Sequence, residues 1–180
     1  MVHTTVTIPT LTTERLRLRA PEMRDFDTFA VFRASDRVLL QGGPNDRAEA
    51  FDRFCLIIGQ WHLRGYGPWI VADREDDTAL GVVGLFYPED WPEPEITWSV
   101  FEVAEGRGIA YEAAIETRRY AYEELGMSTL VSLTMPQNEK SIALAKRLGA
   151  TYEGDFSHPE IGPLNIWRHS PPGGFNHGGS

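Results

Sequence analysis

The sequence predicts a mixed α/β fold, and three observations carry that prediction. Short alternating or β-branched runs and longer segments of helical spacing follow in a mixed order: strand, two helices, three strands, helix, strand, helix, two strands. The glycine-rich turn Glu105-Gly106-Arg107-Gly108-Ile109-Ala110 joins the strand-like run from Ile96 to Phe101 to a segment of helical periodicity. A length of 180 residues with 42% hydrophobic content suits one globular domain with its own core.

Leu16 to Arg19 alternates, placing Leu16 and Leu18 on one face of a strand and Arg17 and Arg19 on the other. Asp25 to Ala34 has helical periodicity through Phe26, Phe29, Ala30 and Phe32. Gly42-Gly43-Pro44-Asn45 breaks the chain, and Asp46 then caps a long helix to about Leu63. Its apolar stripe is read as Phe51, Phe54, Cys55, Ile58, Trp61 and His62, with Trp61 and Trp69 in the core. Gly65 to Pro68 ends that helix, and Trp69 to Ala72 and Ala79 to Phe86 form a hairpin about the charged turn 73–78. Pro88 to Pro94 is a proline- and acid-rich loop before the strand from Glu95 to Phe101. Gly108 to Leu125 is a helix whose Ile109, Ala113, Tyr120 and Ala121 share a face, stopped by Gly126. Thr129 to Thr134 is a strand, Asn138 caps a helix to Leu148, and Thr151 to Asp155 and Leu164 to His169 are the last strands. Residues 11–169 read as one domain, 1–10 as an N-terminal extension, and the Gly- and Pro-rich stretch 170–180 as a disordered tail.

No apolar run reaches the ~20 residues of a membrane helix, and the first five residues lack the basic and apolar segments of a secretory signal. The single cysteine, Cys55, has no internal disulfide partner. Together these favour the cytoplasm and no membrane association. A net charge of -9, from 26 acidic and 17 basic side chains, disfavours a nucleic acid partner. It either favours cationic partners, amines among them, or serves solubility alone. His62 and His158 have no metal-ligand spacing, so no metal is expected.

The turn 105–110 sits where a helix begins, so several backbone N–H groups lack intrahelical acceptors and face the positive end of the helix dipole. That is a seat for a phosphate or pyrophosphate. A P-loop requires a Gly-Lys pair, which the chain lacks. A dinucleotide fingerprint requires a third glycine where Tyr111 stands. The pattern Gln/Arg-x-x-Gly-x-Gly/Ala fits better: Gly108 and Ala110 match, and Glu105 stands where Gln or Arg is usual. A second piece follows in Asn138-Glu139-Lys140-Ser141 and Leu148-Gly149-Ala150, joined by Thr13-Glu14-Arg15-Leu16-Arg17-Leu18-Arg19 and Gly65-Tyr66-Gly67-Pro68-Trp69. On these motifs, from about Leu11 to about Arg168, the chain resembles the GNAT N-acetyltransferases of the RimJ/RimL-like branch. The resemblance implies a GNAT fold, a twisted, mixed, mostly antiparallel sheet of about six or seven strands flanked by about four helices. It implies acetyl-coenzyme A as cofactor and a small-molecule or peptide amine as acceptor. The late strands could pair across a homodimer.

Acetyl transfer to an amine requires loss of the amine proton, polarisation of the thioester carbonyl and protonation of the leaving thiolate. Direct attack in a ternary complex needs no enzyme nucleophile, which suits a chain without a Cys/His pair. By resemblance, the backbone of Trp98-Ser99-Val100 pairs with the pantetheine arm and polarises the carbonyl. Arg107, Gly108, Ile109 and Ala110 hold the pyrophosphate through main-chain donors. Arg107 adds a charge-assisted contact or is an ordinary exposed arginine. Glu105 repels the pyrophosphate unless it turns to solvent.

Glu95 is the candidate general base, sharing a strand face with Thr97 and Ser99; the alternative is a solvated strand-edge carboxylate. Burial near Trp91 or Trp98 would raise its pKa. Ser141 is the candidate acid or a cofactor contact, because the tyrosine common in this helix of the family falls near Ala145. Asn138 is a cofactor contact, an N-cap, or both. The loop Pro88 to Glu95, with four carboxylates and Trp91, either attracts a protonated amine or is a solvated rigid loop. The expected function is acetyl-coenzyme A-dependent N-acetylation. The alternatives are a non-catalytic coenzyme A-binding or sensing module on the same fold, and transfer of a longer acyl group.

Overall fold

The computed structural model describes residues 6–171. The expected signal-free start at residues 1–5 and the expected tail beyond Pro171 lie outside the described residues. The elements are β1 (Leu11–Thr12), β2 (Leu16–Arg19), α1 (Phe26–Arg33), α2 (Arg47–Arg64), β3 (Pro68–Asp73), β4 (Ala79–Phe86), β5 (Glu95–Val100), α3 (Ile109–Arg119), β6 (Val131–Thr134), α4 (Glu139–Arg147), β7 (Thr151–His158) and β8 (Gly162–Arg168). They form one eight-stranded sheet in the order β1-β2-β3-β4-β5-β6-β8-β7. Every neighbouring pair is antiparallel except β5–β6. The additional strand is β1, two residues paired to β2 through Leu11 and Leu18. Among the described residues no helix is long and apolar enough to cross a membrane.

Alternation along the strands divides the core. Ile70 and Val82 pack with Phe26, Phe29, Phe54 and Ile57 beneath α1 and α2. Val71, Val83 and Leu85 pack with Ile109, Ala113 and Ala114 of α3 on the opposite face. Trp61 and Trp69 are buried with rings 4.8 Å apart, as expected of core aromatics. The buried face of α2 differs from the expected stripe. Ala50, Phe54, Ile57 and Trp61 point inward, whereas Phe51, Cys55 and His62 are exposed and Ile58 is half-buried. Phe51 lies against Phe26 at the rim, 5.2 Å between centroids. Both sets have helical spacing. The inward set wins because it places Phe54 against Phe26 and Phe29 and Trp61 against Trp69, while Asp46 and Glu49 form a reciprocal capping box that fixes where the helix starts.

The expected long helix after the glycine turn ends its α-helical part at Arg119 and continues as a widened π turn over Tyr120–Glu124, before Gly126 at φ 64°. The last two strands are longer than expected, and β6 begins at Val131, two residues later than expected.

The divergence of β5 from β6 positions the site. They pair at one position, Glu95 opposite Val131. Val131 N–H donates to Pro94 O, and the Ser132 hydroxyl donates to Ile96 O, so the even-numbered carbonyls face β6. Phe101 N–H donates to Leu80 O on the β4 side. Alternation therefore turns the N–H and C=O groups of Trp98 and Val100 toward β6, which has already left the strand. Gly81 of β4 permits the closeness of β4 and β5, since a Cβ there would lie 2.4 Å from Ser99 O.

Candidate active site

The split between β5 and β6 opens into two spaces. On one side of Trp98 lies a cavity of about 240 Å³. On the other lies a groove of about 890 Å³. Gln41, Trp98, Asn138 and Ser141 line both, so the two spaces meet there.

Glu95 opens β5 and faces the smaller cavity. It is 5% exposed, so the reading as a solvated strand-edge carboxylate does not hold. Its Oε2 accepts from Leu133 N–H at 3.1 Å. Burial pushes its pKa up to about 7, against the opposing effects of the Leu133 N–H and the Trp91 indole. The Trp91 Nε1–H is itself buried and sits beside the carboxylate short of a formed hydrogen bond. The Trp91 ring is held edge-on by Phe86 and His158. His158 Nδ1 accepts from the N–H groups of Glu160 and Ile161, which leaves the proton on Nε2 to donate to Asp90 Oδ2 at 2.8 Å.

The carboxylates of the acidic loop have partners, although an imidazole that accepts at Nδ1 leaves the charge on Asp90 in place. Asp90 is engaged by His158, Glu89 by Arg64, and Glu93 by Arg168 and Thr129. Two arginines line the cavity instead. Arg33 of α1 is 7% exposed and donates to Asn45 Oδ1 and, at 3.4 Å, to the carbonyls of Gln41 and Gly43. Arg53 of α2 stands beside the same turn, where a Cβ on Gly42 would lie 3.7 Å from its Nη2.

The groove runs along the open edge of β5 to the start of α3. Gly108 is the N-cap of α3 at φ 76°, a left-handed conformation that glycine adopts without strain. Glu112 N–H closes onto Gly108 O, so the N–H groups of Ile109, Ala110 and Tyr111 have no intrahelical acceptor. Gly108, Ile109 and Ala110 line the groove. The unpaired edge of β5, these free N–H groups and the size of the groove fit an elongated phosphorylated cofactor.

Glu105 lies along the groove but is turned sideways into ion pairs with Lys140 at 2.6 Å and Arg37 at 2.7 Å. Both cations hold its carboxyl below the usual range, Lys140 first. Of the two readings of Arg107, its placement is that of an exposed loop arginine. Its guanidinium faces Asp73 at 3.6 Å and its carbonyl accepts from Arg15, so only its backbone stays with the loop. Arg37, Lys140 and Arg147 border the groove, the last stacked on Tyr111.

At the junction, Trp98 Nε1–H donates to Ser141 Oγ at 3.2 Å. Ser141 makes no donor bond among the described residues, so its own proton is free for the groove. Asn138 accepts from Ser141 N–H as the cap of α4 and lines both spaces. Ser99 donates its hydroxyl to Gln41 Oε1 at 2.7 Å and lines the smaller cavity, and Val100 lines the groove. Ala145 is fully buried against Ala150 and Trp167 and does not face either space. Arg33, Arg53, Arg37 and Lys140 are not among the site residues expected from the sequence. Only Lys140 had a signal, its place between Asn138 and Ser141.

Residues 15–151 match the family model described as an acetyltransferase (GNAT) domain. An uncharacterized Bacillus subtilis (strain 168) protein, YkkB, is 30% identical over 148 residues, covering 79% of this chain and 85% of that protein. The crystal structure of an acetyltransferase from Agrobacterium tumefaciens str. C58 is 37% identical, with a TM-score of 0.85 over 94% of this chain and 99% of that one. RimL, a ribosomal L7/L12 alpha-N-protein acetyltransferase solved with coenzyme A, shares the fold at 17% identity. Its TM-score is 0.73 over 91% of this chain and 98% of that one.

Proposed function

This chain belongs to the GNAT acetyltransferase family, and from that premise we propose that its domain, residues 11–169, moves an acetyl group to a primary amine by direct attack in a ternary complex. Acetyl-coenzyme A is the donor used by this family and supplies the activated acetyl thioester. The residues that would hold it are the backbone of Trp98, Ser99 and Val100, the turn from Arg107 to Ala110, and Asn138 with Ser141.

The observation that carries the reading is the position of Glu95. It is a buried carboxylate in the cavity that joins the groove at Trp98, Asn138 and Ser141. A base with a pKa of about 7 is half-ionised near neutrality and can take a proton from an ammonium group. An α-ammonium near ~8 loses its proton to such a group far more readily than a lysine ammonium near ~10.4. Ser141 Oγ, with its proton free, stabilises negative charge developing where the two spaces meet. No cysteine lines either space, since Cys55 is exposed on α2, and this supports attack by the amine itself over a covalent acyl-enzyme.

A cofactor-dependent thiol-release assay over a panel of primary amines tests the reading. Turnover with at least one amine is expected. Coenzyme A binding without turnover on any amine would favour the non-catalytic module instead. Two observations motivate that second reading. Glu105 occupies the cations Arg37 and Lys140 beside the groove, and Ala145 replaces the tyrosine of the family.

A further inference from the structure

We propose that the acceptor carries an anionic group next to its amine, a carboxylate in the first instance, seated by Arg33 and Arg53 while Glu95 receives the amine proton. The proposal rests on the acetyl-transfer reading for the identity of the cavity as the acceptor site.

Three features of the cavity carry it. The ionisable groups lining it are Arg33, Arg53 and Glu95, two cations against one carboxylate, and burial keeps that carboxylate partly neutral. Neither arginine has a carboxylate partner among the described residues, although the chain has 26 acidic side chains; of the groove cations, Arg37 and Lys140 are paired with Glu105 and Arg147 is stacked on Tyr111. Arg33 is also buried, which normally requires a counter-charge. It is held only by Asn45 Oδ1 and carbonyl oxygens of the Gln41–Gly43 turn, and burial together with the Arg53 cation lowers its pKa to about 10. An anion entering the cavity would supply the missing counter-charge, and a guanidinium pair suits the two oxygens of a carboxylate. A plain amine or a polyamine brings only positive charge and is repelled. The rest of the wall is apolar, including Phe29, Phe86 and Trp91. An amino acid with an apolar side chain matches all three: amine to Glu95, carboxylate to the arginines, side chain to the aromatic wall.

The test compares L-phenylalanine, its amide and 2-phenylethylamine as acceptors with the full chain and acetyl-coenzyme A. L-phenylalanine is expected to have kcat/KM about tenfold or more above both partners, mainly through KM. O-phosphoethanolamine against ethanolamine distinguishes a phosphate seat from a carboxylate seat. R53E should erase or invert the preference, and Arg53 is exposed, so the variant is expected to fold. R33K, which keeps the charge in the buried site, should retain part of it. Calorimetry with N-acetyl-L-phenylalanine and N-acetyl-2-phenylethylamine reads the same preference without turnover. Anion preference in binding without turnover would sink the acetyl-transfer reading and leave the anion seat standing. Turnover with equal or better use of the amide and the decarboxylated amine, or a preference that R53E leaves intact, overturns the anion seat.

Discussion

Replacing Glu95 with glutamine tests both the chemistry and the burial assigned to this residue. The carboxamide has nearly the same shape, and its Oε1 can still accept from Leu133 N–H. What it loses is the ability to take a proton. A general base contributes on the order of 10²- to 10⁴-fold, so kcat/KM should fall by about that factor. Glu95 lines the smaller cavity and not the groove, so stabilisation by coenzyme A should persist. The wild-type pH profile should rise through an acidic limb near 7, which E95Q lacks. Stability gives an independent reading. The carboxyl titrates at about 7 in the fold against an ordinary value of 4.5, so its contribution to stability is fully present below about 4.5 and lost as pH rises through about 7. The difference corresponds to about 3 kcal/mol at ~1.36 kcal/mol per pH unit. E95Q has no such loss. It should match the wild type within about 1 kcal/mol at pH 5 and exceed it by about 1–3 kcal/mol at pH 8.5, measured by urea unfolding at both pH values. Two results would refute the reasoning: kcat/KM within about threefold of wild type, or identical pH dependence of stability in the two proteins.

Gly108→Val puts a β-branched residue at φ 76° at the N-cap of α3, a strain of about 1–2 kcal/mol. Its Cβ would meet Arg15 at an ordinary 3.6 Å, so the fold should survive. Coenzyme A near a hundredfold above Kd should stabilise the wild type by about 2.7 kcal/mol in a thermal melt and leave G108V unshifted; an equal shift in the variant would mean the loop is misassigned. Ser141→Ala removes the free hydroxyl at the junction and the acceptor of Trp98 Nε1–H. A fall in kcat of about ten- to a hundredfold at unchanged coenzyme A affinity is expected, whereas weakened affinity at unchanged kcat would make Ser141 a cofactor contact only. Glu105→Gln frees Arg37 and Lys140 for phosphate oxygens and should tighten coenzyme A binding by about two- to tenfold in low salt, the gain fading as salt rises. Weaker binding by calorimetry would instead mean that Glu105 is needed to position those cations.

What could be read from the sequence was what depends on neighbours in the chain. Strand alternation at Leu16 to Arg19, the capping box opened by Asp46 and the glycine at the head of α3 are local, and each lies where its chemistry predicts. The face of α2 was not local. Phe51 and Phe54 differ by three positions and both fit a helical stripe, so only the sheet beneath decides that Phe54 goes in and Phe51 stays at the rim. The candidate site divides in the same way. Asn138 and Ser141 sit in a motif, Glu95 and Trp98 on one strand, and the fold brings Trp98, Asn138 and Ser141 to one junction with Glu95 in the adjoining cavity. Arg33 and Arg53 stand on two helices twenty residues apart, and nothing in their spacing says that the turn at Gln41–Gly43 brings them to one wall. Arg107 has the right position in its motif, but Asp73 on β3 competes for its guanidinium.

Net charge illustrates the same limit. A formal charge of -9 suggests a cationic ligand, yet the carboxylates around the site are engaged: Glu89, Asp90 and Glu93 by Arg64, His158 and Arg168, and Glu105 by Arg37 and Lys140. Of the groups lining the cavity, Arg33 and Arg53 have no carboxylate partner among the described residues. At physiological ionic strength charges are screened over about 8 Å. A small anion inside the cavity is governed by Arg33 and Arg53, and partial protonation of Glu95 near neutrality strengthens their field. If the anion seat holds, a net charge of -9 over the chain and a locally positive cavity wall are compatible, because screening separates the surface as a whole from the two arginines at the cavity.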